Sequence, residues 1–214
     1  MAGYRKRIAD GLLARKLVGM GAVLVEGAKW CGKTTTCEQL AKSALYLADP
    51  KKRESLLQLA KIDIARLLEG ESPRLIDEWQ DVPQFWDAIR GYVDHAEGDG
   101  HFILTGSAVV PKDKEDKIVH SGTGRIARLK MRPMSLWESG ESSGAVSLKA
   151  LFADADFTSA HAEECNLDRM AYIVCRGGWP RAVEQGGDIA LDRAFDYFEA
   201  VVESDISRTD GIPS

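Results

Sequence analysis

An eight-residue segment with two glycines carries the clearest chemical pattern in the chain. It runs from Gly27 to Thr34, reads GAKWCGKT, and fits the phosphate-loop pattern G-x-x-x-x-G-K-[ST] with no mismatch. Its glycines let the backbone wrap closely around a phosphate and expose N–H groups to it, while Lys33 would reach the β- and γ-phosphates. The Thr34 hydroxyl would ligate magnesium. The pattern predicts a site for a nucleoside triphosphate with Mg²⁺; a glycine-rich turn that binds nothing is the less favoured alternative.

The segments on either side of this loop are those in which it usually occurs. Upstream, Gly21–Glu26 is a short apolar run, typical of a buried parallel strand. Downstream, apolar and small residues recur at helical spacing from Thr35 to Ser43, so that a helix N-terminus would face the phosphates. The residues expected to contact the nucleotide are Gly27, Lys29, Trp30, Cys31, Gly32, Lys33, Thr34 and Thr35.

Two adjacent acids, Asp77 and Glu78, end a strand predicted to begin at Pro73. A carboxylate at the end of a strand beside a phosphate loop can hold Mg²⁺, which assigns Asp77 to the metal together with Thr34. A neighbouring glutamate can polarise a water for attack on the γ-phosphate, which assigns Glu78 as the catalytic residue. Kinases that use a second substrate as nucleophile need no such glutamate, so Glu78 favours hydrolysis. A pair of surface acids without a chemical role is the alternative.

Three further polar residues are candidates for contact with the γ-phosphate. Thr105 and Ser107 lie in the strand predicted over His101–Ser107, and either could donate a hydrogen bond to the γ-phosphate or to the attacking water. Each could equally cap a turn. Arg125 follows a glycine-bearing segment and could stabilise transition-state charge, in its own chain or from a neighbouring subunit. A salt bridge and a contact with DNA phosphate are the alternatives for Arg125.

Strand and helix patterns alternate through the first two-thirds of the chain. Strands are predicted at Ala44–Leu47 and Arg125–Met131, the second as an exposed edge strand because charged and apolar residues alternate in it. Helices are predicted through Leu56–Leu68 and Pro83–His95. This alternation implies an α/β fold with a doubly wound parallel sheet, in which ligands bind at the carboxyl ends of the strands. The candidate residues at those ends are Gly27, Asp77, Glu78, Thr105 and Ser107.

The last third of the chain has a weaker, mainly helical pattern. Ser139–Ser147 predicts a loop and Leu148–Phe157 a short helix. Longer helices are predicted over Leu167–Cys175 and Asp188–Glu203, the second with Asp188 as its N-cap. We expect these helices to form a small lid.

The composition is that of an ordinary globular protein. Of 214 residues, 44% are hydrophobic and 29% are charged, and the net charge of −5 gives no general attraction to nucleic acid or to an anionic membrane. No run approaches the roughly 18 apolar residues of a transmembrane helix, and no secretory signal is recognisable, so we expect a cytoplasmic protein that does not act at a membrane.

The four cysteines, Cys31, Cys37, Cys165 and Cys175, show no C-x-x-C pair and no metal-ligand spacing, which predicts reduced thiols. Lys33 could stabilise a thiolate at Cys31, although a passive small residue is the favoured interpretation.

Taken in order, the motifs resemble those of the AAA-plus superfamily, and more narrowly the prokaryotic ATPases in which an AAA-plus domain precedes a domain of unknown function. Gly27–Thr34 is similar to Walker A, Leu75–Glu78 to Walker B, and Ile103–Ser107 to the sensor-1 strand. His120–Arg125 resembles the arginine-bearing loop. Gly177–Pro180 is similar to a lid motif, and the resemblance implies that Pro180 packs near the adenine.

The resemblance implies a three-layer P-loop NTPase sandwich with a small helical lid. The nucleotide-binding domain would span residues 1–133, the lid 134–208, and a linker to a further C-terminal domain 209–214. It also implies that Tyr4 and Arg7 lie near the adenine.

These observations favour a magnesium-dependent ATPase whose hydrolysis of ATP drives or resets a conformational change. A second hypothesis is a switch that binds ATP or ADP tightly with negligible turnover and acts as an interaction module. A third is an accessory protein that contacts DNA through the basic stretch Arg125–Arg132. A homo-oligomer or a protein client would be compatible with each.

Overall fold

Five short strands form the sheet that carries the phosphate loop. The computed structural model describes residues 3–106, 121–153 and 166–202. Within these ranges the strands are β1 (Ala22–Gly27), β2 (Ser43–Tyr46), β3 (Arg74–Asp77), β4 (Phe102–Gly106) and β5 (Ile126–Met131). Their order across the sheet is β2-β3-β4-β1-β5, and every neighbouring pair is parallel. The predicted α/β fold with a central parallel sheet is confirmed, and β5 lies at the edge as expected.

Alternate side chains of β1 pack into two separate hydrophobic cores. Ala22 and Leu24 belong to a first core, whereas Val23 and Val25 belong to a second core on the opposite face of the sheet. All four side chains are buried. Since successive strand residues point to opposite faces, a strand covered on both faces has a continuous apolar sequence. Two-sided burial therefore explains the apolar run that precedes the phosphate loop.

Helices cover both faces of the sheet and complete three layers. The second core includes side chains of α1 (Ile8–Val18) and α2 (Lys33–Glu38). The first core is covered by α3 (Arg53–Ile62), α4 (Ala65–Leu68) and α5 (Phe85–His95). The three-layer arrangement agrees with the expectation from the family resemblance.

Three helical segments of the sheet unit differ from the sequence prediction. The helix α2 covers Lys33–Glu38 rather than Thr35–Ser43, and Ser43 begins β2. The apolar pattern over 56–68 forms two helices rather than one, because Asp63 leaves helical geometry at φ −153° and ψ 86°. The helix α1 was not predicted, although its buried residues Ala9, Leu13 and Leu17 recur every fourth position. This spacing is typical of a helix that covers a core with one narrow face.

The chain divides into two compact units between Arg132 and Pro133. Arg7–Arg132 contains the sheet, and the described part of the other unit comprises residues 3–6, 133–153 and 166–202. The helices of that second unit are α6 (Leu136–Ser139), α7 (Leu148–Phe152), α8 (Leu167–Arg176), α9 (Pro180–Gln185) and α10 (Gly187–Ala200). In the described ranges, no helix is both long enough and apolar enough to cross a membrane.

The predicted N-cap of the last helix is wrong by two residues. Gly186 is the N-cap of α10, and Asp188 lies inside the first turn. A carboxylate in that position still interacts favourably with the positive end of the helix dipole, which explains why the sequence pattern placed it near the cap.

Candidate nucleotide and hydrolysis site

The phosphate loop begins at the last residue of β1 and has a tightly determined backbone. A Cβ atom on Gly27 would lie 2.1 Å from the carbonyl oxygen of Met131, so no larger residue fits there without displacing β5. Gly32 has a φ of +97° and Trp30 a φ of +61°, both in the left-handed region. The Trp30 side chain is 61% exposed, whereas Cys31 is completely buried. The loop thus points its tryptophan outward and its cysteine into the second core.

Lys33, the first residue of α2, is folded back over the loop that precedes it. Its Nζ donates hydrogen bonds to the carbonyl oxygens of Gly27 and Ala28, both at 3.0 Å. The side chain is largely buried, with a relative exposure of 7% for the residue. The ammonium group is therefore held inside the curve of the loop, where the motif requires a positive charge for a phosphate.

Two side chains from two other elements donate hydrogen bonds to Asp77, which ends β3. The Thr34 hydroxyl at the start of α2 donates to Asp77 Oδ1 at 2.7 Å, and the Thr105 hydroxyl of β4 donates to the same oxygen at 2.5 Å. Asp77 and Thr105 are both buried. Parallel pairing of β3 with β4 and of β4 with β1 brings these carboxyl ends to one edge of the sheet. The predicted juxtaposition of the loop with Asp77 is therefore present in the fold.

Thr34 and Asp77 have the donor chemistry that Mg²⁺ prefers. Both present oxygen atoms, and Mg²⁺ is usually held by one or two such protein ligands together with phosphate oxygens and water. Because Thr34 gives its hydrogen to Asp77, the lone pairs of its hydroxyl remain for a metal ion. No group of three or more His, Cys, Asp or Glu suited to a metal occurs in the described ranges. The residues present fit a magnesium ion that is shared with a nucleotide.

Glu78 immediately follows β3 and has an unusual backbone conformation. Its φ of +58° and ψ of 45° lie in the left-handed region, which glutamate rarely adopts. Its backbone N–H donates to Thr105 Oγ1 at 3.2 Å, and its carbonyl accepts from the N–H of Asp81 at 3.0 Å. These two bonds hold the strained turn, and such conformations concentrate at functional sites.

Thr105 has a different environment from the one its prediction assumed. Its hydroxyl hydrogen is donated to Asp77, while its oxygen accepts from the backbone of Glu78. Donation to a γ-phosphate or to a water would require Thr105 to leave Asp77, so this role stays a prediction. Ser107, the other candidate on this strand, lies outside the described residues.

Arg7 contacts the backbone of the phosphate loop, a contact that the sequence did not predict. It is 5% exposed, and its guanidinium donates to the carbonyl oxygens of Cys31 and Arg132, both at 2.8 Å. Arg7 thus links the backbone of the phosphate loop at Cys31 to the residue that follows β5, Arg132. The resemblance implied only proximity to the adenine, a role that stays untested for Arg7 and Tyr4.

The two cysteines of the loop region are buried thiols. Burial raises the pKa of Cys31, an effect that the positive charges of Lys33 and Arg7 only partly offset. Burial, together with the charge of Asp77, also raises the pKa of Cys37. The structure therefore favours a passive packing role for Cys31 over a reactive thiolate.

Arg125 lies at the amino ends of the parallel strands, whereas the phosphate loop lies at their carboxyl ends. Arg125 directly precedes β5, which runs parallel to β1 with Ala22 beside Ile126 and Gly27 beside Met131. Six residue steps of about 3.3 Å therefore separate Arg125 from Met131, the residue beside the start of the loop, a distance of about 20 Å. Arg125 Nε donates to Asp94 Oδ1 at 2.6 Å in an ion pair. In this arrangement Arg125 is bonded to Asp94 and lies away from the loop of its own chain; contact with a phosphate, in its own chain or from a neighbouring subunit, stays a prediction.

Arg128, in the same basic stretch, is also engaged within the sheet unit. Arg128 Nη1 is 3.1 Å from Glu26 Oε2, and its guanidinium lies 5.7 Å from the ring centroid of Trp86. Contact with DNA would require this exposed guanidinium to leave Glu26, so the DNA-contacting alternative stays a prediction.

Pro180 begins α9 in the other compact unit. It occupies the first turn of that helix, a position in which proline is favoured. A Cβ atom on Gly178 would lie 2.2 Å from the carbonyl oxygen of Met134, and the amide of Met134 donates to the Gly178 carbonyl at 2.6 Å. The Gly177–Pro180 segment is thus closely packed against Met134 of the same unit. Its predicted contact with the adenine is not tested.

The fold and the loop define a class, the P-loop nucleotide-binding proteins of α/β architecture. The family model described as AAA domain matches residues 20–139, which is more than half of the chain. The chain therefore belongs to the AAA domain family, whose members are nucleotide-binding ATPases of the P-loop type. The match covers the elements from β1 through β5. No curated protein matches this chain.

Proposed function

We propose that the chain hydrolyses MgATP and that Glu78 is the catalytic base. The observation that carries this proposal is the bonded group of Thr34, Asp77 and Thr105, which lies beside the phosphate loop and fixes the backbone of Glu78. Each part has a counterpart in phosphoryl transfer, where catalysis consists mainly of positioning and of electrostatic stabilisation.

Each residue of the site would have a separate role that follows from its position. Backbone N–H groups of the loop and Lys33 would bind the β- and γ-phosphates. Thr34 and Asp77 would hold Mg²⁺, which neutralises phosphate charge when it is bound. Thr105 keeps Asp77 in place by donating to Oδ1, and it holds the turn at Glu78 by accepting from the backbone.

Glu78 would accept a proton from water as that water attacks the γ-phosphorus. The bond between the γ-phosphorus and the β–γ bridging oxygen then breaks, so that ADP and inorganic phosphate are formed. A carboxylate in this role contributes typically 10²- to 10⁴-fold to the rate. Hydrolysis would drive or reset a conformational change. That change would alter the binding of a client protein or the position of a further domain.

The test is steady-state phosphate release from MgATP by the wild type, by Glu78→Gln and by Glu97→Gln. Glu97 is an exposed glutamate beyond the end of α5, so its substitution is the same chemical change away from the loop. We expect Glu78→Gln to lower kcat by roughly 10²- to 10⁴-fold with nucleotide binding retained, and Glu97→Gln to match the wild type.

Two results would contradict the proposal. Turnover that survives in Glu78→Gln would remove Glu78 from the chemistry. A wild type that binds ATP without releasing phosphate would instead support the nucleotide-dependent switch, the second function that this site could serve.

A further inference from the structure

Gln80 contacts the residue proposed as the catalytic base. It lies in a 3-10 helix of one turn, Trp79–Asp81, which follows Glu78. Its side-chain Nε2 donates a hydrogen bond to Glu78 Oε2. Gln80 is 8% exposed, which is low for a polar side chain at the end of a strand. The sequence analysis did not single it out, because no spacing rule connects a glutamine to a glutamate two residues earlier.

The turn and the neighbouring strand determine where this amide lies. The N–H of Asp81 donates to the Glu78 carbonyl and the N–H of Val82 to the Trp79 carbonyl, both at 3.0 Å, which closes the chain back toward Glu78. A Cβ atom on Gly106 would lie 2.5 Å from Gln80 Oε1, so the glycine that ends β4 provides the space for this side chain. The amide is therefore built into the sheet edge rather than extended into solvent.

The contact uses only one of the two carboxylate oxygens of Glu78. Among the described residues, no side chain other than Gln80 donates a hydrogen bond to this carboxylate. A general base must be held in a fixed orientation and must still present an oxygen to the water that it deprotonates. Holding Oε2 and leaving Oε1 satisfies both conditions.

We propose that Gln80 is a positioning residue for ATP hydrolysis, which orients the Glu78 carboxylate by donating to Oε2 and leaves Oε1 for the attacking water. This inference rests on the proposed function, because it gives Gln80 a purpose only if Glu78 acts as the base. Gln80 itself touches neither nucleotide nor water in this role.

The experiment compares Gln80→Met and Gln80→Ala with the wild type, in the native background and in a Glu78→Gln background. Methionine retains most of the side-chain volume and lacks the donor, so it preserves the packing if alanine does not fold. Gln84→Met is the matched control, because Gln84 is exposed at the start of α5. Thermal unfolding of each variant establishes that it is folded.

We expect Gln80→Met to lower kcat by roughly 10- to 100-fold while KM for ATP changes by less than about threefold, since a small misplacement of a catalytic group costs this much. In the Glu78→Gln background the same substitution should have no further effect on kcat, because the two residues act through one carboxylate. An equal loss in both backgrounds, a change in KM alone, or no loss of kcat would overturn the proposal.

A spectroscopic measurement separates this proposal from the proposed function. In ¹H–¹⁵N spectra of the nucleotide-free chain, the Gln80 side-chain amide should shift when Glu78 is changed to Ala and stay in place in Glu97→Gln. If the wild type binds ATP without turnover, hydrolysis and the catalytic purpose of Gln80 both fail, although the amide shift still shows the contact. If turnover is normal and the shift is absent, only the inference about Gln80 fails.

Discussion

The carboxyl ends of the parallel strands lie on one side of the sheet, here called the carboxyl edge, and their amino ends lie on the other, the amino edge. Both carry charged residues, yet they differ in how those residues are bonded. At the carboxyl edge, Thr34 and Thr105 donate to one oxygen of Asp77 at the mouth of the phosphate loop. At the amino edge, Asp94 forms surface ion pairs with Arg125, at 2.6 Å, and with Arg90, at 3.5 Å. The first is a network of buried and half-buried side chains from three elements, and the second consists of ion pairs around one exposed carboxylate.

The difference shows that the type of a residue is less informative than the edge on which it lies. Arg125 has the chemistry of a residue that stabilises transition-state charge, but parallel pairing places it about 20 Å along the strand direction from the loop of its own chain. Asp77 and Asp94 are both aspartates bonded to a donor, and only Asp77 lies where a loop can present phosphate. The two carboxylates therefore provide a direct comparison of the edges.

The largest effect is expected from Asp77→Asn at the carboxyl edge. The amide would lose the negative charge that fits Mg²⁺ and would place a donor against Thr34 or Thr105. We expect phosphate release to fall by roughly 100-fold or more, since the charge stabilisation that a bound metal supplies is worth several kcal/mol. Phosphate release as a function of Mg²⁺ concentration measures it.

Asp94→Asn is the control for that prediction. It is the same chemical change at the amino edge and should leave the turnover of dilute protein within about twofold, because surface ion pairs contribute little. Equal losses in the two variants would contradict the distinction between the edges.

A smaller effect is expected from Arg7→Ala, behind the phosphate loop. Its loss leaves the carbonyl oxygens of Cys31 and Arg132 without their charged donor, and such hydrogen bonds are worth about 1.5–3 kcal/mol each. We expect the free energy of unfolding to fall by about 2–4 kcal/mol and the nucleotide to bind more weakly. Denaturant unfolding and ATP titration measure the two effects.

Arg5 provides the comparison for Arg7. It is exposed and donates to the carbonyl of Ser139 at 2.9 Å. Arg5→Ala should cost about 1 kcal/mol or less. A stability loss in Arg7→Ala no greater than that in Arg5→Ala would mean that the loop does not depend on the buried guanidinium.

The smallest effect on turnover is expected from Arg125→Ala. In dilute protein the variant should hydrolyse ATP within about twofold of the wild type, because surface ion pairs contribute little and Arg125 lies far from its own loop. Specific activity that rises with concentration only in the wild type would identify Arg125 as a contact from a neighbouring subunit. A large loss at every concentration would contradict the position of Arg125 in this fold.

The same variant has an expected pH signature. The hydrogen bond from Arg125 lowers the pKa of Asp94, so this pair stabilises the folded chain above the ordinary aspartate pKa of 3.8. The stabilisation is lost as the pH falls through the lowered folded value. In Arg125→Ala the pKa of Asp94 should return upward, which a carboxyl NMR titration would record.

Local patterns were sufficient for the sheet and for the loop. The apolar run before Gly27 identified β1, because strands covered on both faces have a continuous apolar sequence. The two acids after Ile76 identified the carboxyl end of β3. Patterns were less reliable in the C-terminal helices. The helix predicted over Asp188–Glu203 is present, yet its large apolar residues Phe195 and Phe198 are 70% and 64% exposed, whereas Ala190 is buried. Helical periodicity identifies the helix but does not decide which of its stripes meets a neighbour.

The sequence by itself determined the phosphate loop, the parallel sheet and the edge at which Asp77 and Glu78 lie, because these depend on residue spacing and on the fixed alternation of strands and helices. Only the tertiary structure decided that Arg7 supports the loop, that Thr105 gives its hydrogen to Asp77, and that Gln80 holds Glu78. Each of those contacts joins residues through a turn or across elements distant in sequence. Their partners are selected by the packing of the whole unit, which no local pattern records.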